Sequence, residues 1–203
     1  GGGSIAWIDQ GGILRVGPSS AGAEPGPACY SKNGEEPTVT DANLVLGYLN
    51  PDYFLGGKIK IERDRAEKVI REKVADKLNL DVFQAAAGIY DVVNSNMSQG
   101  VRLVSVSKGI DPREYALVIA GGAGPVHGSM IAKHLEIPII IIPKESAVFC
   151  ATGMLLSDLR HDLIRSCYMS LTEEAIDIGK MNALFKEMRN VGFDTLLAEA
   201  IPA

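Results

Sequence analysis

The chain has 203 residues, 46% of them hydrophobic and 22% charged, with a net charge of −5. This composition excludes a disordered chain, and the acidic balance without a basic face argues against a nucleic-acid partner. No apolar run approaches the roughly 18 residues of a membrane span, so no membrane association is expected. No signal peptide is visible. Three cysteines, Cys29, Cys150 and Cys167, lack metal-type spacing and read as buried thiols of a cytoplasmic protein. No metal-ligand set is expected.

Residues 1–4 (GGGS) have the composition of an engineered linker. Residues 4–17 read as a hairpin, Ile5–Ile8 against Ile13–Val16 around a Gly-Gly turn. Residues 17–37 are rich in glycine and proline and have no period. A connection that long is either functional or disordered; the tyrosine and cysteine of Pro-Gly-Pro-Ala-Cys-Tyr favour a packed loop. Residues 38–49 read as a short helix entered through Thr40 or Asp41. Asp41 there has two readings, helix capping or, together with Asn43, a side chain turned into a site.

A short strand is expected at Lys58–Ile61. An amphipathic helix follows over 64–78, with Glu67–Arg71 and Lys68–Glu72 as solvated pairs. A long helix is predicted over 81–108, where Asp81 and Gln84 form a capping box. Gly88 and Gly100 inside it suggest close packing or a nearby ligand. After residue 142 the pattern predicts a small helix over 153–159 and a strand over 160–171. A helix of about 19 residues then begins at Thr172, carries Ile176, Met181, Leu184, Phe185 and Met188 on its apolar face, and stops at Gly192.

The chain is organised around residues 115–128 (YALVIAGGAGPVHG). Ala116–Ile119 is continuously apolar, as in a strand covered on both faces. Gly121 and Gly122 permit positive φ and close backbone approach, and Pro125 suits a first helical turn. The helix is predicted over 125–135 and the next strand over 137–142, giving one strand–helix–strand unit with parallel strands and right-handed crossover. Ligands bind such sheets at the carboxyl ends of the strands, and free N–H groups at the helix start suit an anion or a polar ring edge. The spacing is not G-x-G-x-x-G, because His127 stands at the third glycine position, which argues against a dinucleotide fold. There is no serine nucleophile elbow, HExxH or P-loop. Of the three histidines, His127 alone sits where chemistry is plausible.

Six stretches then read together: Gly1–Ala6, Val16–Gly22 (VGPSSAG), Pro25–Tyr30 (PGPACY), Thr38–Asn43 (TVTDAN), Gly121–His127 (GGAGPVH) and Leu155–Asp162 (LLSDLRHD). In this order the chain resembles the hydantoinase/oxoprolinase family, and the β subunits of acetone and acetophenone carboxylases are similar. The resemblance covers roughly residues 1–170 and makes the first four residues look native. It implies an α/β chain, a fragment of an actin-like (ribonuclease H-like) ATPase fold holding much of one lobe. Residues 1–170 would be the partial hydantoinase/oxoprolinase domain, and 171–203 a helix opening a further region.

The resemblance further implies ATP and magnesium as cofactors, with ATP activating a carbonyl or amide oxygen by phosphorylation before water opens a cyclic imide or lactam. Gly121, Gly122, Ala123 and Gly124 would hold the nucleotide, Asp41 and His127 would serve catalysis, and Asn43 would bind substrate. A second enzyme subunit is the expected partner. The family's phosphate-binding motifs lie upstream of Gly1, so the isolated chain is expected to be inactive. Two departures stand out, Ala120 for the more usual Phe and Gly128 where alanine is common. The alternatives are the ATP-using subunit of a ketone carboxylase and, from another class, a sugar kinase or a non-catalytic actin-like module.

Overall fold

The computed structural model describes residues 2–168 and 177–199. The chain divides into two compact units, residues 1–153 and 154–203.

The first unit opens with strands β1 (Ser4–Ile8) and β2 (Leu14–Ser20), paired antiparallel with Trp7 opposite Arg15 and Ile8 opposite Leu14. The Asp9 carboxylate closes the turn by accepting from the Gly11 and Ile13 amides at 2.9 and 3.0 Å, the local bond that makes aspartate a turn residue. Gly2 and Gly3, ahead of β1, are bonded into the fold. The Gly2 carbonyl accepts from both the amide and the hydroxyl of Thr40, at 2.9 and 3.0 Å.

The Gly/Pro-rich loop is packed, as its tyrosine and cysteine suggest. Pro27, Ala28 and Cys29 are buried, and a β-carbon on Gly34 would lie 2.4 Å from the Gly26 carbonyl oxygen. Only glycine permits that approach. Burial, with the nearby Asp41 charge, pushes the Cys29 thiol up and keeps it protonated. Cys150 and Cys167 are exposed, against the expectation of three buried thiols.

Helix α1 (Val39–Val45) is buried along its whole length and is capped by Thr38, two residues before the expected entry. The capping box with Asp41 explains the shift, since a box needs the threonine three residues ahead of its carboxylate. The expected strand at 58–61 is reduced to one bridge, Phe54 with Ile59.

Helix α2 (Arg63–Ile70) passes through a π-helical stretch, Arg71–Ala75, into α3 (Asp76–Leu78). Glu67 pairs with Arg63 at 2.8 Å where the sequence suggested Arg71. Helix α4 (Val82–Val106) starts at the predicted Asp81–Gln84 capping box. Its Ala85, Ala86 and Ile89 join Leu44, Ile61, Ile70 and Val74 in the core. Gly88 faces Leu14, whose Cδ2 would lie 3.2 Å from an added β-carbon, which accounts for a glycine inside this helix.

Strand β3 (Ala116–Val118), helix α5 (Gly124–Leu135) and strand β4 (Ile139–Ile141) form the predicted unit. The strands are parallel, with Ala116, Leu117 and Val118 opposite Ile139, Ile140 and Ile141. Coverage differs from expectation. Ile119 is buried, but Val118, Ile139 and Ile141 are 54%, 56% and 46% exposed. Among the described residues this sheet holds two strands, so its outer row has nothing to cover it. Helix α6 (Phe149–Leu156) follows.

In the second unit, residues 160–168 form no strand, and 169–171 of that expected strand lie outside the described residues. Helix α7 (Ile178–Ala198) is entered through Asp177, whose side chain accepts from the Lys180 amide. It runs through Gly192, where a stop was expected: one glycine costs about 1 kcal/mol against alanine, too little to end a 21-residue helix. The expected start at Thr172 and Ile176 lie outside the described residues.

Candidate functional site

The turn after β3 is built from backbone bonds. Ile119 N–H donates to the Ile141 carbonyl at 2.9 Å, Gly121 N–H to Ser146 at 2.7 Å, and Gly124 N–H to Gly121 at 3.2 Å. The Gly122 and Ala123 amides take no part in these three bonds. Gly121 has φ of +97°, a conformation that needs glycine. Gly124 and Gly128 are required for a different reason. Added β-carbons would meet Ile119 at 2.5 Å (Cγ2) and 1.8 Å (Cδ1), whereas Gly122 has nothing within 4 Å of where its β-carbon would stand. The packed glycines hold the helix against the strand, and the open one leaves room above the turn.

That room is a cleft of about 410 Å³ lined by the turn, His127, Gly128, Val39 and Gly2, with Val93, Met97 and Val101 from α4. Its size suits a small-molecule ligand. It lies at the carboxyl end of a parallel strand, where such ligands bind.

His127, in the first turn of α5, is held from two sides. Asn94 of α4 donates through Nδ2 to the Tyr90 carbonyl at 2.8 Å, so its Oδ1 is the atom 3.1 Å from His127 Nδ1. That assignment puts the ring proton on Nδ1 and makes Nε2 an acceptor. Nε2 takes its bond from Asn43 Nδ2 at 3.3 Å. The Tyr90 ring stacks on the imidazole, 5.3 Å between centroids and 24° between planes, and the Tyr90 hydroxyl donates to the Val126 carbonyl at 2.8 Å. Burial pushes the His127 pKa below its ordinary value by disfavouring the charged ring. Both ring nitrogens are occupied, and the ring is held neutral.

A parallel contact one helical stretch further on involves Ser98 and His134. The Ser98 hydroxyl donates to the Asn94 carbonyl at 2.8 Å, and His134 Nδ1 lies 3.3 Å from Ser98 Oγ. Arg102, a candidate for an anion contact or a solvated side chain, donates to the His134 carbonyl at 3.3 Å. Sequence reading did not single out Asn94 or Ser98 as functional. The signal was their polarity inside an otherwise apolar helical stripe.

Asn43 lies on α1, 3% exposed, and its Oδ1 has no partner. Asp41 is wholly buried and is not among the residues that line the cleft. Its carboxylate accepts from the Ala28 amide at 3.3 Å, the Cys29 amide at 2.8 Å, the Thr38 amide at 2.9 Å and the Thr38 hydroxyl at 2.7 Å. Four donors saturate its oxygens, so Asp41 ties the Pro-rich loop to the start of α1. Among the described residues no group of three or more His, Cys, Asp or Glu side chains is placed to hold a metal ion. No helix among them is long and apolar enough to cross a membrane.

The structure therefore brings His127 and the Gly121–Gly124 turn to one cleft, with Asn43 bonded to His127 but, like Asp41, outside the cleft lining. The hydantoinase/oxoprolinase family matches residues 1–163. Caprolactamase subunit alpha of Pseudomonas jessenii is 46% identical over 196 residues, covering 97% of this chain and 28% of that protein. The crystal structure of the ATP-dependent caprolactamase from that organism superposes with a TM-score of 0.72 over the same shares. Acetophenone carboxylase gamma subunit of Aromatoleum aromaticum is 44% identical over 162 residues, 79% of this chain and 22% of that one. The 5-oxoprolinase 1 of Arabidopsis thaliana is 38% identical over 169 residues, 75% and 13%. The chain thus spans less than a third of each relative's length, and by its match over residues 1–163 it belongs to the hydantoinase/oxoprolinase family.

Proposed function

We propose that the whole protein is an ATP-dependent amidohydrolase that opens a cyclic imide or lactam, and that this chain supplies part of one lobe of an actin-like ATPase. The observation that carries the reading is one cleft shared by an open glycine turn and the His127 imidazole. Its relatives' names support an ATP-dependent enzyme of this kind, since they include a caprolactamase and a 5-oxoprolinase.

The residues fit a nucleotide. Gly121 turns the chain away from β3, Gly122 leaves the space above it open, and Gly122, Ala123 and Gly124 present backbone at a helix start, where N–H groups favour polar or anionic ligands. When bound, ATP supplies a phosphoryl group that activates the amide carbonyl towards water. The chain's own side chains position that chemistry. His127, neutral and fixed at both nitrogens by Asn43 and Asn94, lines the cleft and is a positioning residue in this reading. Asp41 supports Asn43 by fixing the entry of α1. Magnesium would come with the nucleotide. Among the described residues no group of three or more His, Cys, Asp or Glu side chains is placed to hold it.

A second reading, the ATP-using subunit of a ketone carboxylase, is favoured by the 44% identity to acetophenone carboxylase gamma subunit. The relatives called alpha and gamma subunits also suggest a second subunit here. ADP release by the full-length protein with that subunit separates the two readings. Stimulation by hydantoin, 5-oxoproline or caprolactam alone supports the amidohydrolase. Stimulation only by a ketone with bicarbonate supports the carboxylase and rejects the first.

A further inference from the structure

We infer that Asn94 and Asn43 lock the His127 ring against proton transfer, and that the ring serves the cleft as a fixed wall for the uncharged part of the ligand. Asn94 and Asn43 are then positioning residues that act through His127. This rests on the reading of the cleft as the ligand site of an ATP-using enzyme. It goes beyond that reading by giving the ring a binding role and removing it from acid–base chemistry.

The lock follows from the hydrogen-bond account. Asn94 Nδ2 is spent on the Tyr90 carbonyl at 2.8 Å, so Oδ1 faces His127 Nδ1 at 3.1 Å and the proton sits on that nitrogen. Nε2 is then an acceptor, and Asn43 Nδ2 donates to it at 3.3 Å. With the proton on Nε2, Asn43 would turn over and its Oδ1 would accept. In the observed arrangement Oδ1 is instead, among the described residues, the buried side-chain polar atom without a partner. An enclosed acceptor without a donor is unfavourable. The orphaned oxygen is therefore the cost of keeping the proton on Nδ1, and Asn94 is the residue that imposes it.

The rest of the ring is held as well. Tyr90 stacks on one face and is itself backed by the Tyr48 ring, 5.1 Å between centroids. The Tyr90 hydroxyl bonds the Val126 carbonyl, one residue before His127. Tyr90, Asn94 and Asn43 stand outside the cleft lining, whereas His127 is part of it. With one face and both nitrogens engaged by residues outside the lining, what His127 offers the cleft is carbon. Its companions match. Val39, Val93, Met97 and Val101 are apolar, and among the described residues no charged side chain lines the cleft. Polarity on this chain's side comes from the main chain of the turn. Such a surface suits an uncharged ring held by a few polar groups, and both the base of a nucleotide and a cyclic amide supply one. A proton-transfer step needs a titrating group within reach of the ligand, which the locked ring is not.

The test uses the full-length protein with its partner subunit and whichever substrate drives ADP release. His127→Gln keeps a donor and an acceptor but cannot serve as an acid or base near neutral pH. It should raise a KM by about tenfold or more while kcat falls by less than about tenfold, because loss of a general acid or base costs about 10²–10⁴ in kcat. A rise in the KM for ATP means that the wall meets the base; a rise in the KM for the ring substrate means that it meets the cyclic amide. Nitrogen NMR of the imidazole separates positioning from packing. In the wild type the proton should sit on Nδ1. Asn94→Leu should move it to Nε2, where Asn43 Oδ1 can accept, while Asn43→Leu should leave it on Nδ1. If Asn94→Leu fails to fold, the wild type and Asn43→Leu still decide the point.

A kcat loss of about 100-fold or more in His127→Gln with both KM values unchanged would overturn the inference. So would unchanged kinetics throughout, or a wild-type proton on Nε2. None of these results bears on the amidohydrolase reading, which falls if no cyclic amide stimulates ADP release. The ketone-driven reaction would then carry the same kinetic test.

Discussion

His127 Nδ1 lies 3.1 Å from Asn94 Oδ1, across the contact between α5 and α4. The pair fixes a neutral imidazole in a buried setting, and this has a consequence for stability. The folded ring titrates below its ordinary value of 6.5. As pH falls through 6.5 the unfolded chain takes up a proton before the folded one does, so stability rises with pH in that window. The full contribution is present above 6.5 and is lost as pH drops from 6.5 towards the folded value. Thermal midpoints of the full-length protein from pH 8 to 5 should fall in that range, and less steeply in His127→Gln. Identical slopes in the two proteins would show that another group sets the dependence.

Asp41 predicts a large cost for a residue outside the cleft lining. Removing its carboxylate strands three backbone amides and the Thr38 hydroxyl. Hydrogen bonds to charged groups contribute about 1.5–3 kcal/mol each, and stranded buried donors add to the loss. Asp41→Ala should therefore destabilise by about 3 kcal/mol or more, clearly beyond the roughly 1 kcal/mol of an ordinary cap loss. Denaturant titration of wild type and variant measures it. A near-neutral result would mean that the loop does not depend on this tie.

Ile119 and Gly128 form a matched pair. An alanine β-carbon at 128 would meet Ile119 Cδ1 at 1.8 Å and Cγ1 at 3.2 Å. Gly128→Ala should cost about 1–3 kcal/mol by overpacking. Ile119→Val, which deletes Cδ1, should cost about 1 kcal/mol alone and restore most of the loss in the double variant. Additive losses would place the strain elsewhere. The pair also gives a reason for glycine at 128: the Ile119 side chain fills the space a β-carbon would need.

Gly122 should behave in the opposite way. It has no neighbour within 4 Å of an added β-carbon, so Gly122→Val should leave the thermal midpoint within about 2 °C, the range of a surface substitution. The same change fills the space above the turn and should weaken ATP binding by tenfold or more, about 1.4 kcal/mol. Equilibrium binding of ATP to the full-length protein is the measurement. Unchanged affinity would remove the turn from the nucleotide site.

Much of this architecture was legible in the sequence because the signals were local. The Asp81–Gln84 capping box and the glycine turn before Pro125 each involve residues within a few positions of one another, and both appear where they were expected. The parallel pairing of β3 and β4 followed from the strand–helix–strand order. What escaped was set by distant partners. Asp41 looked like a candidate for chemistry until the Ala28 and Cys29 amides, 13 and 12 residues away, were found on it. Asn94 drew no functional reading because its partner stands 33 residues further on. The π-helical stretch Arg71–Ala75 left no trace in the hydrophobic period, and it accompanies the move of Glu67 from Arg71 to Arg63.

The seam between α4 and α5 has a mechanical consequence. Tyr90 grips the Val126 carbonyl and Asn94 grips His127, both within a few residues of the glycine turn, while Ser98 and Arg102 engage His134 near the other end of α5. Helix α4 has 25 residues, about 37 Å of rigid rod. With its polar grips spread along α5, the glycine turn cannot swing independently of that rod. Displacing the turn therefore means displacing α5 against four bonds to α4 at once.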